Sequence, residues 1–255
     1  MKKVRLGKTG LMVTKPAMGC LPVQRCSEDS AVDILRAAYE GGINFFDTAN
    51  AYTDSERKIG LALSDVRDKI ILATKSAATD KNGVLAHIEN SLRMMKTDYI
   101  DLFQFHQAAA LPDINDPNGA YAGALEAKKR GWIGHIGITA HSLETFRMAL
   151  ELPWVETIMF PYNIVEDQAK ELIHACAEKS IGFIAMKPLA GGAIEDAVTA
   201  LRYVCANPDV TVVIPGMADI AELNQNLAAV NDASPLSHEE EGKLRTIRDA
   251  LGTQF

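Results

Sequence analysis

The chain lacks several features that would narrow its function at once. Its four cysteines, Cys20, Cys26, Cys176 and Cys205, stand apart, with none of the close pairs of a metal motif. This argues against a zinc ribbon or a disulfide scaffold; no metal site is expected, and the thiols read as reduced residues of a cytoplasmic protein. No apolar run approaches the roughly 20 residues needed to span a bilayer. The basic start, Met1-Lys2-Lys3-Val4-Arg5-Leu6-Gly7, is not followed by an apolar stretch, so it does not read as a secretory signal. Positive charge is in deficit, with 26 Lys and Arg against 33 Asp and Glu and a net charge of −7. Without a basic cluster, neither nucleic acid nor an anionic membrane is expected as a partner. A small anionic cofactor needs only a few local donors and stays compatible with this balance. There is no Pro/Ser-rich linker, charge block or low-complexity stretch, so residues 1–255 are read as a single domain.

What the chain does have is alternation. Short apolar runs at 16–20, 44–49, 70–75, 100–106, 135–139, 157–163, 182–188 and 211–216 read as strands. Amphipathic segments at 29–40, 55–63, 84–95, 119–129, 142–150, 168–179, 194–206 and 220–230 read as helices, and a last helix is expected over 237–251. The strand runs are apolar on successive residues, as in Ile70-Ile71-Leu72 and Val212-Val213-Ile214. That pattern suits strands buried on both faces, hence a parallel sheet under helices. Thr53-Asp54-Ser55-Glu56 resembles a capping box at the start of the second helix. Eight strand–helix units predict an α/β fold, a (β/α)8 TIM barrel, with a doubly wound sheet as competitor. The absence of a Gly-x-Gly-x-x-Gly after the first strand weakens that competitor. Residues 4–13, two short runs around Lys8-Thr9-Gly10, predict an N-terminal β-hairpin across the barrel floor, and the last helix is an extra one.

On a barrel, Asp47, Lys75 and His106 each end a strand, and Tyr52 follows the first of them closely. All four side chains then meet at the C-terminal mouth, where barrel enzymes keep their chemistry. A Tyr, a Lys, an Asp and a His in one pocket can deliver a proton. Of the other histidines, His87, His174 and His238 fall on helical patterns and read as solvated, His135 reads as structural, and His141 can line the mouth.

At these residues the chain resembles the aldo-keto reductase superfamily. The likeness runs through Leu6-Gly7-Lys8-Thr9-Gly10-Leu11, Phe46-Asp47-Thr48-Ala49 with Tyr52 and Ser55-Glu56, and Leu72-Ala73-Thr74-Lys75. It continues in Thr97-Asp98-Tyr99-Ile100-Asp101-Leu102, His106, Gly137-Ile138, Pro161-Tyr162-Asn163, Pro188-Leu189 and Ile214-Pro215-Gly216. The resemblance implies interconversion of an aldehyde or ketone and its alcohol with NADP(H), the family default, or NAD(H). It implies Tyr52 as general acid, Lys75 as the cation that lowers the tyrosine pKa, Asp47 as the partner that keeps Lys75 charged, and His106 as the donor that directs the carbonyl oxygen.

The same resemblance implies a cofactor lying across the mouth, past Gly19, Cys20, Thr139, Met159, Met186, Lys187, Pro188, Leu189, Gly191, Gly216, Met217, Ala218, Glu222, Gln225 and Asn226. Several of these depart from the family. Thr139-Ala140 replaces a Ser-Asn pair, Met159 a Gln, and Met186 a stacking aromatic. Gly216, Met217 and Glu222 stand where many members carry a Lys-Ser and an Arg that clamp the NADP 2′-phosphate, so a ribose hydroxyl is the expected neighbour of Glu222. Substrate choice is expected from the loop 107–118, with a shallow, weakly discriminating pocket and a small carbonyl compound as substrate. The alternative these departures support is a nicotinamide-binding regulatory or scaffold subunit with little turnover.

Overall fold

The computed structural model describes residues 1–108, 110–232 and 234–252. The N-terminal strands β1 (Lys3–Arg5) and β2 (Met12–Thr14) form the expected antiparallel hairpin, joined through a 3-10 turn at Gly7–Thr9. Eight strands then follow: β3 (Met18–Gly19), β4 (Phe45–Asp47), β5 (Ile71–Ser76), β6 (Ile100–Phe105), β7 (Ile133–Thr139), β8 (Thr157–Pro161), β9 (Gly182–Met186) and β10 (Val212–Ile214). Each pairs in parallel with its sequence neighbour, and the bridges Pro16–Val213 and Gly19–Gly216 join β3 to β10 and close the barrel.

The helices are α1 (Glu28–Glu40), α2 (Ser55–Leu63), α3 (Lys81–Met94), α4 (Ala120–Lys129), α5 (Leu143–Leu150), α6 (Lys170–Glu178), α7 (Ala197–Ala206), α8 (Ile220–Asn231) and α9 (His238–Leu251). A capping box of Ser237 and Glu240 starts the extra helix α9, and buried Arg202 of α7 holds it by pairing with Glu240. The capping box expected at α2 is absent. Asp54 caps without a side-chain hydrogen bond and instead pairs with Lys58 at 3.0 Å, while Glu56 is buried and accepts from Thr74 Oγ1 at 2.7 Å.

Period-two alternation sorts the strand residues into two layers. Phe45, Ala73, Leu102, Met159, Ile184 and Val212 fill the barrel interior. Phe46, Leu72, Phe103, Ile158, Phe183 and Val213 pack outward under the helices. The hairpin contributes Leu6 and Val13 to the inner layer and so plugs the floor. Gly7 makes this possible. Its φ is 52°, and a Cβ there would lie 2.3 Å from Gly182 N and 2.5 Å from Ser180 O, so only glycine fits.

Strands expected to reach His106, Asn163, Pro188 and Gly216 stop earlier, at Phe105, Pro161, Met186 and Ile214. The reason is visible at two of these ends, where Gln107 (φ 50°) and Lys187 (φ 51°) turn the chain out of the ladder. The helix expected from residue 194 begins only at Ala197, where the Asp196 carboxylate accepts from Thr199 N.

Leu6 is wholly buried in the inner layer. Leu6→Ala is expected to lower unfolding stability by about 2–5 kcal/mol in urea melts, because the floor cannot collapse onto the space left behind.

Candidate active site

The mouth of the barrel is built from residues that face inward at the strand ends. Asp47 is the last residue of β4, Lys75 lies near the end of β5, and His106 follows β6. Lys75 is 2% exposed, yet its ammonium is well provided for: Nζ donates to Asp47 Oδ2 at 2.6 Å and to Thr48 O at 2.5 Å. The same Nζ lies 5.1 Å from the centre of the Tyr52 ring. Tyr52 and His106 meet edge to face, with ring centroids 5.8 Å apart at 81°. The four residues expected to work together are therefore assembled in one cluster.

Burial opposes the charge on Lys75, but Asp47 and Tyr52 more than offset it, so the ammonium is held above the usual lysine range. Burial also acts on Tyr52. Lys75 pulls the phenol's pKa down as the sequence suggested, but desolvation and Asp47 push harder, and the net direction is up. The phenol is thus firmly protonated. Burial, then the charge of Lys75, lowers His106 from 6.5 to about 4, so its imidazole is neutral at ordinary pH. A neutral imidazole keeps one N–H to donate.

Backbone strain gathers around these side chains. Thr53 (φ 34°) follows Tyr52, Gln107 (φ 50°) follows His106, and Lys187 (φ 51°) follows Met186. Left-handed non-glycine residues cost of order 1 kcal/mol and persist where the surroundings enforce them. Here the enforcing bonds are visible. Gln107 N donates to Thr139 Oγ1 at 2.7 Å, Asn163 Nδ2 to Lys187 O at 3.0 Å, and Thr53 Oγ1 to Gln24 Oε1 at 3.2 Å. Beside His106, between the loops after β6 and β7, lies an open pocket of about 580 Å³ lined by Gln107, Ala108, His141, Ser142 and Thr145. His141 thus lines the mouth region, as its position after β7 suggested.

Comparison with known proteins gives this geometry a family. Residues 17–199 match the model of the aldo/keto reductase family. The chain belongs to the aldo/keto reductase family. It is 26% identical to an uncharacterized oxidoreductase, YqkF, of Bacillus subtilis, over 94% of each chain. Among solved structures it resembles the holo form of the aldo-keto reductase AKR11C1 from Bacillus halodurans, with a TM-score of 0.83, 27% identity, and coverage of 97% of this chain and 96% of that one. It also resembles an aldo/keto reductase from Klebsiella pneumoniae in complex with NADP and acetate, with a TM-score of 0.80, 25% identity, and coverage of 96% and 95%. The protein is an NAD(P)H-dependent aldo/keto reductase by family. Among its described residues no helix is long and apolar enough to cross a membrane.

The residues expected around the reductase cofactor are spread over several parts of the structure. Gly19 and Gly216 bridge at the barrel seam; a Cβ on Gly19 would meet Pro215 O at 2.9 Å, and one on Gly216 would meet Pro22 Cγ at 2.7 Å. Thr139 and Met186 end β7 and β9 and Met159 is the middle residue of β8, with Met159 in the inner apolar layer and Met186 against it. Lys187 is exposed, Pro188 is buried and Leu189 half-buried, while Gly191 (φ 69°) has open space where a Cβ would be. Cys20 and Met217 are different: both side chains sit in the outer hydrophobic core, and burial pushes the Cys20 thiol up. On α8, Gln225 is exposed and Asn226 buried. Glu222 has a local task at the start of that helix, where its Oε2 accepts from Ala218 N at 2.7 Å while Asp219 Oδ1 accepts from Glu222 N at 2.8 Å.

Three supporting residues escaped the sequence reading. Gln104 of β6 is fully enclosed and donates to Asp47 Oδ1 at 3.4 Å. Ser55 Oγ donates to Cys20 O at 2.9 Å and accepts from Thr48 Oγ1 at 2.9 Å, tying the Tyr52 loop to β3. Lys58, 3% exposed, donates to Val23 O at 3.1 Å and Cys26 O at 2.8 Å and pins the loop after β3. A polar residue inside an apolar strand was the one available signal for Gln104. His87, expected to be solvated, is half-buried and hydrogen-bonded to Ser76 Oγ at 2.7 Å.

The lowered His106 pKa links to stability. The unfolded chain binds a proton near 6.5 and the folded one only near 4, so this contribution is full above pH 6.5 and is lost as pH falls toward 4. Thermal melts across that window are expected to show a falling midpoint, with a shallower fall in His106→Gln.

Proposed function

We propose that this reductase transfers hydride from a reduced nicotinamide cofactor to an aldehyde or ketone, with Tyr52 as the proton donor. The observation that carries this reading is the Lys75 ammonium, held by Asp47 at 2.6 Å and set 5.1 Å from the centre of the Tyr52 ring. The residues present fit such a cofactor: half-buried Met186 offers an apolar, polarisable platform, the Thr139 hydroxyl stands at the end of β7, and Gly191 leaves its loop open to close approach. When bound, a reduced nicotinamide supplies the hydride. As charge grows on the carbonyl oxygen, Tyr52 gives up its proton and Lys75 stabilises the tyrosinate that remains. His106, neutral at working pH, donates an N–H that orients the carbonyl. The open pocket next to the His106 loop, lined by Gln107, Ala108, His141, Ser142 and Thr145, leaves room for a small carbonyl compound.

Tyr52→Phe is expected to lower turnover by about 10²–10⁴-fold while leaving nucleotide binding intact. An aldehyde panel and a fluorescence titration with NADPH and NADH check the two halves separately, and unchanged turnover would remove Tyr52 from the chemistry.

Cofactor choice follows from α8. The Asp219 and Glu222 carboxylates already cap its N-terminus, and no Lys or Arg occurs between Arg202 and Lys243. Two carboxylates repel a 2′-phosphate, whereas a 2′-hydroxyl can donate to one of them. NADH is therefore expected to bind at least as tightly as NADPH. Glu222→Arg should shift the ratio of the two dissociation constants toward NADPH by about tenfold or more, and a ratio that does not move would dissociate Glu222 from the ribose.

A further inference from the structure

Two of the buried side-chain oxygens that have no hydrogen-bond partner among the described residues are Gln104 Oε1 and Thr157 Oγ1. They belong to inward-facing positions of β6 and β8, with β7 between them. Gln104 on β6 is in register with Gly137 on β7, and Gly137 with Thr157 on β8. A Cβ on Gly137 would lie 2.0 Å from Thr157 Oγ1, so the threonine hydroxyl occupies the space a β7 side chain would take. Thr157 thereby leans across the glycine toward the strand that carries Gln104. Both residues are wholly buried, and the next inward residues of their strands, Leu102 and Met159, are apolar.

Leaving a buried amide oxygen unpartnered is costly, and a leucine would avoid it. What Gln104 does that leucine cannot is donate. Its Nε2 reaches Asp47 Oδ1 at 3.4 Å, on the carboxylate oxygen that Lys75 does not use. The charged and titratable groups facing Asp47 are Lys75 from β5, Tyr52 from the loop after β4 and the Cys20 thiol at the end of β3. Among these, Lys75 alone favours the carboxylate, and it is shared with Thr48 O and Tyr52.

We propose that Gln104 is a positioning residue that holds Asp47 ionised and aimed at Lys75, and that Thr157 steadies Gln104 through one internal water bridging the threonine hydroxyl and Gln104 Oε1. Both oxygens are buried without a partner, and such groups are the ones internal waters satisfy. The proposal rests on the reading of Asp47, Lys75 and Tyr52 as the proton-delivery chain. Its sign is fixed by chemistry: a hydrogen bond to the charged form favours ionisation, so losing it raises the pH at which Asp47 ionises. The acidic limb of the pH–rate profile then moves to higher pH. A purely structural role would scale the whole profile down and leave the limb in place.

The test uses the full chain labelled with ¹³C-carboxyl aspartate, the Asp47 signal being assigned by its loss in Asp47→Asn. Wild type, Gln104→Leu, Thr157→Val and the double variant are titrated, and the pH–rate profile is recorded in parallel with an aldehyde. Gln104→Leu is expected to raise the Asp47 midpoint by about one pH unit, a tenfold change in proton affinity, with the acidic limb following. Thr157→Val should move it less in the same direction, and the double variant should match Gln104→Leu alone. A midpoint unmoved in Gln104→Leu overturns the proposal; one moved there but untouched by Thr157→Val overturns the link through water. If Gln104→Leu does not fold, Gln104→Met, unbranched and similar in size, takes its place with the same criteria. A wild type that turns over no carbonyl yet shows the Asp47 shift fails the reductase reading while upholding this one.

Discussion

The buried pair of Asp47 and Lys75 is the constraint on which the mouth depends. Moving two opposite charges out of water costs more than their attraction returns unless further hydrogen bonds complete them. The barrel supplies those bonds: Thr48 O accepts from the ammonium and Gln104 donates to the free carboxylate oxygen. Removing one partner would leave a naked charge in an apolar layer, at a cost of about 3–5 kcal/mol. The pair is therefore stable only as a unit, and its geometry is handed on to Tyr52, which has no strand of its own.

Around that pair the barrel behaves as a rigid frame with strained outlets. The chain turns left-handed after Tyr52, after His106 and after Met186, and each turn is held by a hydrogen bond to a neighbouring element. The frame can bear this because its lower half is densely filled. The hairpin residues Leu6 and Val13 close the floor under the inner apolar layer. Stability resides in the lower layers, and the upper layer is given over to charge and strain.

Electrostatics then sort the roles of chemically similar groups. Burial keeps the Tyr52 phenol protonated and the His106 imidazole neutral, while Lys75 stays charged because Asp47 and Tyr52 together outweigh its desolvation. In the proposed reaction Tyr52 is the donor, and Lys75 beside it favours the anion that donation leaves. At α8 the same logic runs against the family pattern. Carboxylates stand at a helix N-terminus that would otherwise attract an anion, and they already use its first N–H groups.

The sequence by itself determined the alternation of strands and helices, because apolar periodicity is a local property. It also determined the identity and strand-end position of Asp47, Lys75 and His106, since a polar residue closing an apolar run needs no tertiary knowledge to be noticed. Only the tertiary structure decided what depends on neighbours from distant strands. Gln104 read as one polar residue in a hydrophobic run until β6 was set beside the Asp47 carboxylate. Thr53-Asp54-Ser55-Glu56 read as a capping box until Thr74 claimed Glu56 and Lys58 claimed Asp54. The direction of the Tyr52 shift was equally out of reach, because it is a difference between desolvation and the field of Lys75, and both are set by packing across strands.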